Sequence, residues 1–152
     1  MMIMQQWAFL KEIMKDNINE EHFKSWNYPE IIDGQPTKYN WIVQNLTGFN
    51  LGSKVDIGAF SYINALNGVI IENDVQIGSH CSIYSVSTID NTSGKVVLKK
   101  NCKIGSHSTI LPGVTVGKNS IIGAHSLIIN DIPDNVIAFG VPAKVVRSLS
   151  ND

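Results

Sequence analysis

Three histidines of this chain share one local context. His80 closes Ile77-Gly78-Ser79-His80, His107 closes Ile104-Gly105-Ser106-His107, and His125 closes Ile122-Gly123-Ala124-His125. An imidazole titrates near neutral pH, so each is a candidate general acid or base and a candidate metal ligand. Equal contexts imply equal places in a repeat, and all three would stack in one column at a corner, about a coil apart. Such a column suits a shared tetrahedral ion poorly, because the ligands do not converge on one point. His80 stands one coil before a break in the repeat, and Asp90 lies within that break as a lesser candidate base. The two cysteines, Cys81 and Cys102, occupy equivalent positions and lack Cys-x-x-Cys spacing. They read as small, buried and reduced rather than as a metal pair.

A six-residue period must position these side chains. From Leu98 to Pro133 the sequence cuts into hexapeptides opened by Leu98, Ile104, Ile110, Val116, Ile122 and Ile128, with glycine next at Gly105, Gly117 and Gly123. Neither the 3.6 spacing of a helix nor the alternation of a half-exposed strand fits. Six residues suit a short strand and a turn, one side of a coil. Glycine answers either a positive φ or a close backbone approach. One coil cannot bury its apolar row alone, whereas a stack can.

The same ruler runs backwards through Leu51, Ile57 and Ile63, then Ile71, Ile77 and Ile83, slipping by two residues at Val69 and Ile70 and again at 89–97. Aligning the blocks places Ile71, Leu98 and Val116 on one side. Ile77, Ile104 and Ile122 fall on the next, and Ile83, Ile110 and Ile128 on the third. This predicts an all-β protein, a triangular coil of eighteen residues repeated about four times, with an excursion at 89–97. The 152 residues suit one domain: a helix and irregular cap over 1–50, the repeat over 51–133, and a tail over 134–152.

Apolar Ile3, Met4, Trp7, Leu10, Ile13 and Met14 recur at helical spacing, which predicts an amphipathic helix over 3–16. Residues 17–50 are irregular and rich in aromatics, and are expected to cover the open end of the stack, whose strand edges need a cap. In the tail, Ala143 to Leu149 predicts a short helix carrying Lys144 and Arg147 on one face. A net charge of −1 argues against a nucleic-acid partner, and 16% charged residues fit a chain that hides surface in an oligomer. No apolar run approaches the ~20 residues of a membrane span. The N-terminus lacks the pattern of a secretory signal, so a cytoplasmic location is expected.

The stretch IGSHSTILPGVTVGKNSIIGAHS, followed by NDIPDNVIAFGVPAKVVR, resembles the hexapeptide-repeat acyltransferases. Similarity extends over about 51–147, and the galactoside, maltose and xenobiotic acetyltransferases and the nucleotide-sugar acetyltransferases are the nearest subgroups. The resemblance implies a left-handed parallel β-helix, a homotrimer and acetyl-CoA as donor, with no metal. It also implies that coenzyme A lies in a groove between subunits beside Ser106 and Ala124, with Lys144 and Arg147 near the nucleotide phosphates. Guanidinium and ammonium both suit phosphate. Tyr62-Ile63-Asn64 resembles a segment whose asparagine contacts the acceptor, so Asn64 is carried over. Galactoside-type members place a catalytic histidine where this chain has Thr88, and 89–97 contains no histidine.

A base near neutral pKa is worth about 10²–10⁴-fold. A hydroxyl acceptor needs it early, whereas an amine attacks as the free base. The missing histidine therefore leans the reading toward N-acetylation of an amino sugar, nucleotide-linked and destined for surface polysaccharide or glycan. His80 is the first candidate base, with Asp90 the lesser one. O-acetylation of a sugar hydroxyl is the alternative, followed by a carbonic-anhydrase-like metalloenzyme or a non-enzymatic trimeric module.

Overall fold

The computed structural model describes residue 5 and residues 23–149. The helix expected over 3–16 lies outside the described residues, residue 5 apart.

Three parallel sheets form the sides of a triangular coil. On the first, Ile42–Gln44, Tyr62–Asn64, Ser82–Tyr84, Thr109–Ile110 and Leu127–Ile128 lie in that order. Their registered residues are Val43, Ile63, Ile83, Ile110 and Ile128. On the second, Leu51, Ile71, Leu98 and Val116 stack, and Ile132 bridges to Val116. On the third, Ile57, Ile77, Ile104 and Ile122 stack and Ala138 closes the row. The three predicted columns are therefore those observed. Four coils are complete and a fifth is partial, in the architecture of a left-handed parallel β-helix.

These inward rows make the core, and Val43, Ile63, Val69, Leu98, Val116 and Ile128 are wholly buried. Each side is only two or three residues long, so a coil gains its burial from its neighbours. The glycines that follow ladder aliphatics answer close approach rather than positive φ. A Cβ on Gly78 would sit 2.5 Å from the Ser106 nitrogen, and one on Gly105 would sit 2.4 Å from the Ala124 nitrogen. Positive φ falls two residues later. Phe60, His80, His107 and His125 take it at one corner, and Lys54, Asp74, Asn101, Asn119 and Asn135 at another. Asparagine, aspartate and histidine tolerate this region better than most residues. Asn101 donates to Asn119 at 3.0 Å and Asn119 to Asn135 at 2.8 Å, a ladder that ties successive coils. At the third corner Gly68 and Gly113 take the positive φ.

Four boundaries differ from the sequence expectation. The coil begins at Ile42 rather than 51, because Val43 fills a ladder place although no glycine follows it. Residues 23–41 do cover this end: the Trp26 indole donates to the Val55 carbonyl at 2.7 Å, and the Tyr28 hydroxyl donates to the Leu51 carbonyl. The excursion is a hairpin, Val86–Ser87 antiparallel to Thr92–Ser93, while Val96–Leu98 is already back in the ladder. Its neck is closed by the Gly94 amide donating to the Ser85 carbonyl at 2.9 Å, and the Ser85 hydroxyl donates to the Asn64 carbonyl at 2.7 Å.

The fourth difference is a correction at the tail. Ala143–Ser148 is a strand, not a helix, and runs antiparallel to Val136–Gly140. A seven-residue helix is marginal in isolation, while Val145 and Val146 favour a strand and the edge strand offers a ladder to pair with. The pairing sets Phe139 beside Lys144 and Ile137 beside Arg147, and leaves Val146 as an extra residue. That bulge matters, because residues three apart on a regular strand face opposite sides. The bulge returns Lys144 and Arg147 to the side of Ile137 and Phe139.

Candidate active site

Asn64 ends its strand beside Tyr84. Its Oδ1 accepts from Asn45 Nδ2 at 2.9 Å and from the Leu66 amide at 3.2 Å, which fixes the side chain and leaves its own amide protons available. Beside it opens a cavity of about 390 Å³ lined by Tyr62, Asn64, Tyr84, Ser87, Thr88, Ile89 and Leu111 among others. The volume falls in the range of small-ligand sites. The hairpin supplies Val86, Ser87, Thr88 and Ile89, and the coil supplies the rest. Thr88 thus reaches the cavity at the place where the resemblance led one to expect a histidine. Asp90, the hairpin's carboxylate, is outside this lining. It is tied by the Ser87 hydroxyl and the Thr92 hydroxyl, which hold it below the usual carboxylate range. A carboxylate so stabilised is a weak base.

His80 does not join Asn64 within one chain. It precedes Ser82–Tyr84 at the opposite end of that strand, so about 13 Å of strand lies between His80 and Tyr84 at ~3.3 Å per residue. The predicted histidine column is present. The rings of His80 and His107 stack at 4.6 Å and 5°, and those of His107 and His125 at 4.8 Å and 8°. Phe60 extends the column, 5.2 Å from His80. Face-to-face rings do not direct their nitrogens to a common centre. Among the described residues no group of three or more His, Cys, Asp or Glu side chains could hold a metal ion.

Ser106 and Ala124 lie one coil apart, each backed by the glycine of the coil before. Phe139 packs over Gly123 beside them, because a Cβ there would meet the Phe139 Cβ at 2.8 Å. Lys144 and Arg147 are exposed on the same side as Phe139. Small side chains, an aromatic edge and two cations thus form one outer strip across the last coils. This fits a pantetheine arm followed by phosphates. Cys81 and Cys102 stay out of both regions. Burial raises both thiols, Cys102 to about 12 with a further push from Glu72, so neither is a nucleophile at neutral pH.

Tyr84, Ile89 and Leu111 line the cavity without being among the residues that a motif singles out. The signal for two of them was available, because each follows a ladder aliphatic directly and so faces outward. Ile89 had none, since its placement depends on the hairpin.

Residues 95–130 match the bacterial transferase hexapeptide (six repeats) family. Over those residues the chain carries the repeat of that family. It is 36% identical over 118 residues to the galactoside O-acetyltransferase of Escherichia coli K12, covering 68% of this chain and 58% of that relative. The chain thus spans less than three fifths of the curated relative's length. A hexapeptide-repeat acetyltransferase of Vibrio cholerae O1 biovar eltor, solved with acetyl coenzyme A, shares the fold with a TM-score of 0.69 at 23% identity, covering 73% of this chain and 66% of that one. A mutant of AntD, an N-acyltransferase from Bacillus cereus, was solved with dTDP-4-amino-4,6-dideoxyglucose and coenzyme A. It aligns with a TM-score of 0.53 at 25% identity, covering 74% of this chain and 71% of that one.

Proposed function

We propose that this chain is an acetyl-CoA-dependent acetyltransferase that N-acetylates an amino sugar, nucleotide-linked and used for surface polysaccharide or glycan. The observation that carries the reading is the cavity beside Asn64, which offers an amide and hydroxyls but, among the described residues, no histidine or carboxylate in its lining. An amine attacks as its free base and sheds a proton late, so such a cavity suffices for it. When bound, acetyl-CoA supplies a thioester carbonyl as the electrophile. Ser106 and Ala124 leave room along the coil for the donor arm, and Lys144 and Arg147 neutralise its phosphates. Asn64 holds the acceptor, and orientation supplies much of the rate, as it does wherever two reactants are fixed at contact distance. The acceptor cavity and the donor strip lie on different sides of one chain's coil, which supports a homotrimer whose sites lie between subunits. The same donor accords with a cytoplasmic location.

O-acetylation of a sugar hydroxyl is the second reading, and the identity to galactoside O-acetyltransferase favours it. A hydroxyl needs a base, and His80 would then have to come from a second copy of the chain. Glucosamine and a methyl galactoside, each offered with acetyl-CoA, separate the two. Release of free thiol reports turnover, and hydroxylamine cleaves an ester product but leaves an amide. An amide product from the amino sugar is expected. An ester product, with the amine untouched, would overturn N-acetylation.

A further inference from the structure

The outward row of the first sheet runs from Asn64 through Tyr84 to Leu111. Asn64 and Tyr84 are registered neighbours, and Leu111 follows Ile110, the registered neighbour of Ile83. Tyr84 is therefore the centre of the row, with a polar group on one side and an apolar one on the other. Its ring contacts that of Tyr62 at 5.8 Å and 49°, a diagonal cross-strand pair. The two phenols are not equivalent. The Tyr62 hydroxyl donates to Gln44 Oε1, so its ring is anchored and buttresses Tyr84. The Tyr84 hydroxyl has no hydrogen-bond partner among the described residues. The strand that carries it leads within two residues into the hairpin, whose Thr88 and Ile89 complete the wall.

We propose that Tyr84 is a specificity-determining residue, its ring face forming the wall against which the acceptor's sugar ring lies and its hydroxyl meeting one of the sugar's hydroxyls. A pyranose has an apolar face of C–H groups and a polar rim. The row presents the complement of both: an aromatic face flanked by Leu111 and Ile89, with Asn64 and the phenol at the rim. Aromatic rings combine large apolar area with a polar handle, and a buried donor left without its partner is costly. The proposal rests on the acetyltransferase reading and names the acceptor class of that site.

The full chain is tested as wild type, Tyr84→Phe and Tyr84→Ala, with glucosamine and methyl galactoside as acceptors and coenzyme A titrated calorimetrically. Tyr84→Ala is expected to raise the acceptor KM at least tenfold with kcat changed less than threefold and coenzyme A affinity unchanged. Tyr84→Phe keeps the wall and loses the hydroxyl, so its KM should rise about threefold. Such a split marks lost ground-state binding rather than lost chemistry. A Tyr84→Ala enzyme with an unaltered KM overturns the proposal. So does a wild-type protein that binds coenzyme A yet transfers to no sugar, a nucleotide-linked amino sugar included. Failure to bind coenzyme A at all overturns the acetyltransferase reading beneath it.

Discussion

Asn64 and His80 stand at opposite ends of the first side's strands, and they divide the two chemistries open to this site. Asn64→Asp keeps the oxygen that accepts from Asn45 and Leu66, but loses the amide donor that faces the cavity. Folding should persist while acceptor turnover falls at least tenfold, measured by thiol release. His80→Ala should cost less than tenfold if the acceptor is an amine, because no proton need leave before attack. A loss of 10²–10⁴-fold in that variant would instead make His80 the general base, working on a neighbouring copy's acceptor. The thiols give a second residue-scale test. A thiol raised to about 12, as Cys102 is, is almost wholly neutral at pH 8, and Cys81 is shifted the same way. Native protein should therefore leave both unreactive toward a disulfide reagent, and guanidinium should release two thiols per chain.

At the scale of the element, the glycines of the repeat differ in what they tolerate. Gly105→Ala forces a Cβ to 2.4 Å from the Ala124 nitrogen, and coils cannot part locally without breaking the ladder. A loss of about 2–3 kcal/mol is expected, in the range of overpacked cores. Gly113 has open space around a Cβ but φ of +83°, so Gly113→Ala should lose only the left-handed strain of about 1–2 kcal/mol. Urea midpoints compared at equal slope would rank the two, and the reverse order would mean that inter-coil contact is looser than it looks. The sequence disclosed this stacking because one aliphatic every six residues leaves a single consistent register, and Leu98 beside Ile71 follows from it. It hid what does not repeat. Val43 opens a coil without a glycine, and Ala143–Ser148 owes its strand to a partner edge rather than to its own period. Of the cavity, Asn64 was legible by resemblance. Tyr84 was legible only through its place after Ile83 in the outward row, and Ile89 was not, since its placement needed the hairpin.

At the scale of the molecule, the proposed reading splits the site between an acceptor side and a donor side and so calls for more than one chain. Light scattering at micromolar concentration should give three chains per particle, and dilution to monomers should abolish transfer. A monomer that still transfers acetyl would refute a site built between subunits. Rings with closed rotational symmetry are the usual way to complete such sites, because each chain then gives and receives once. The closed neck of the hairpin has a different kind of consequence. Gly94 and Ser85 seal the coil before the loop departs, and Leu98 resumes its place as though nothing had intervened. Length and content of 86–93 are therefore uncoupled from the stability of the stack. The eight residues of that loop, four of which line the cavity, can thus be rewritten to reshape the pocket while the spine stays as it is.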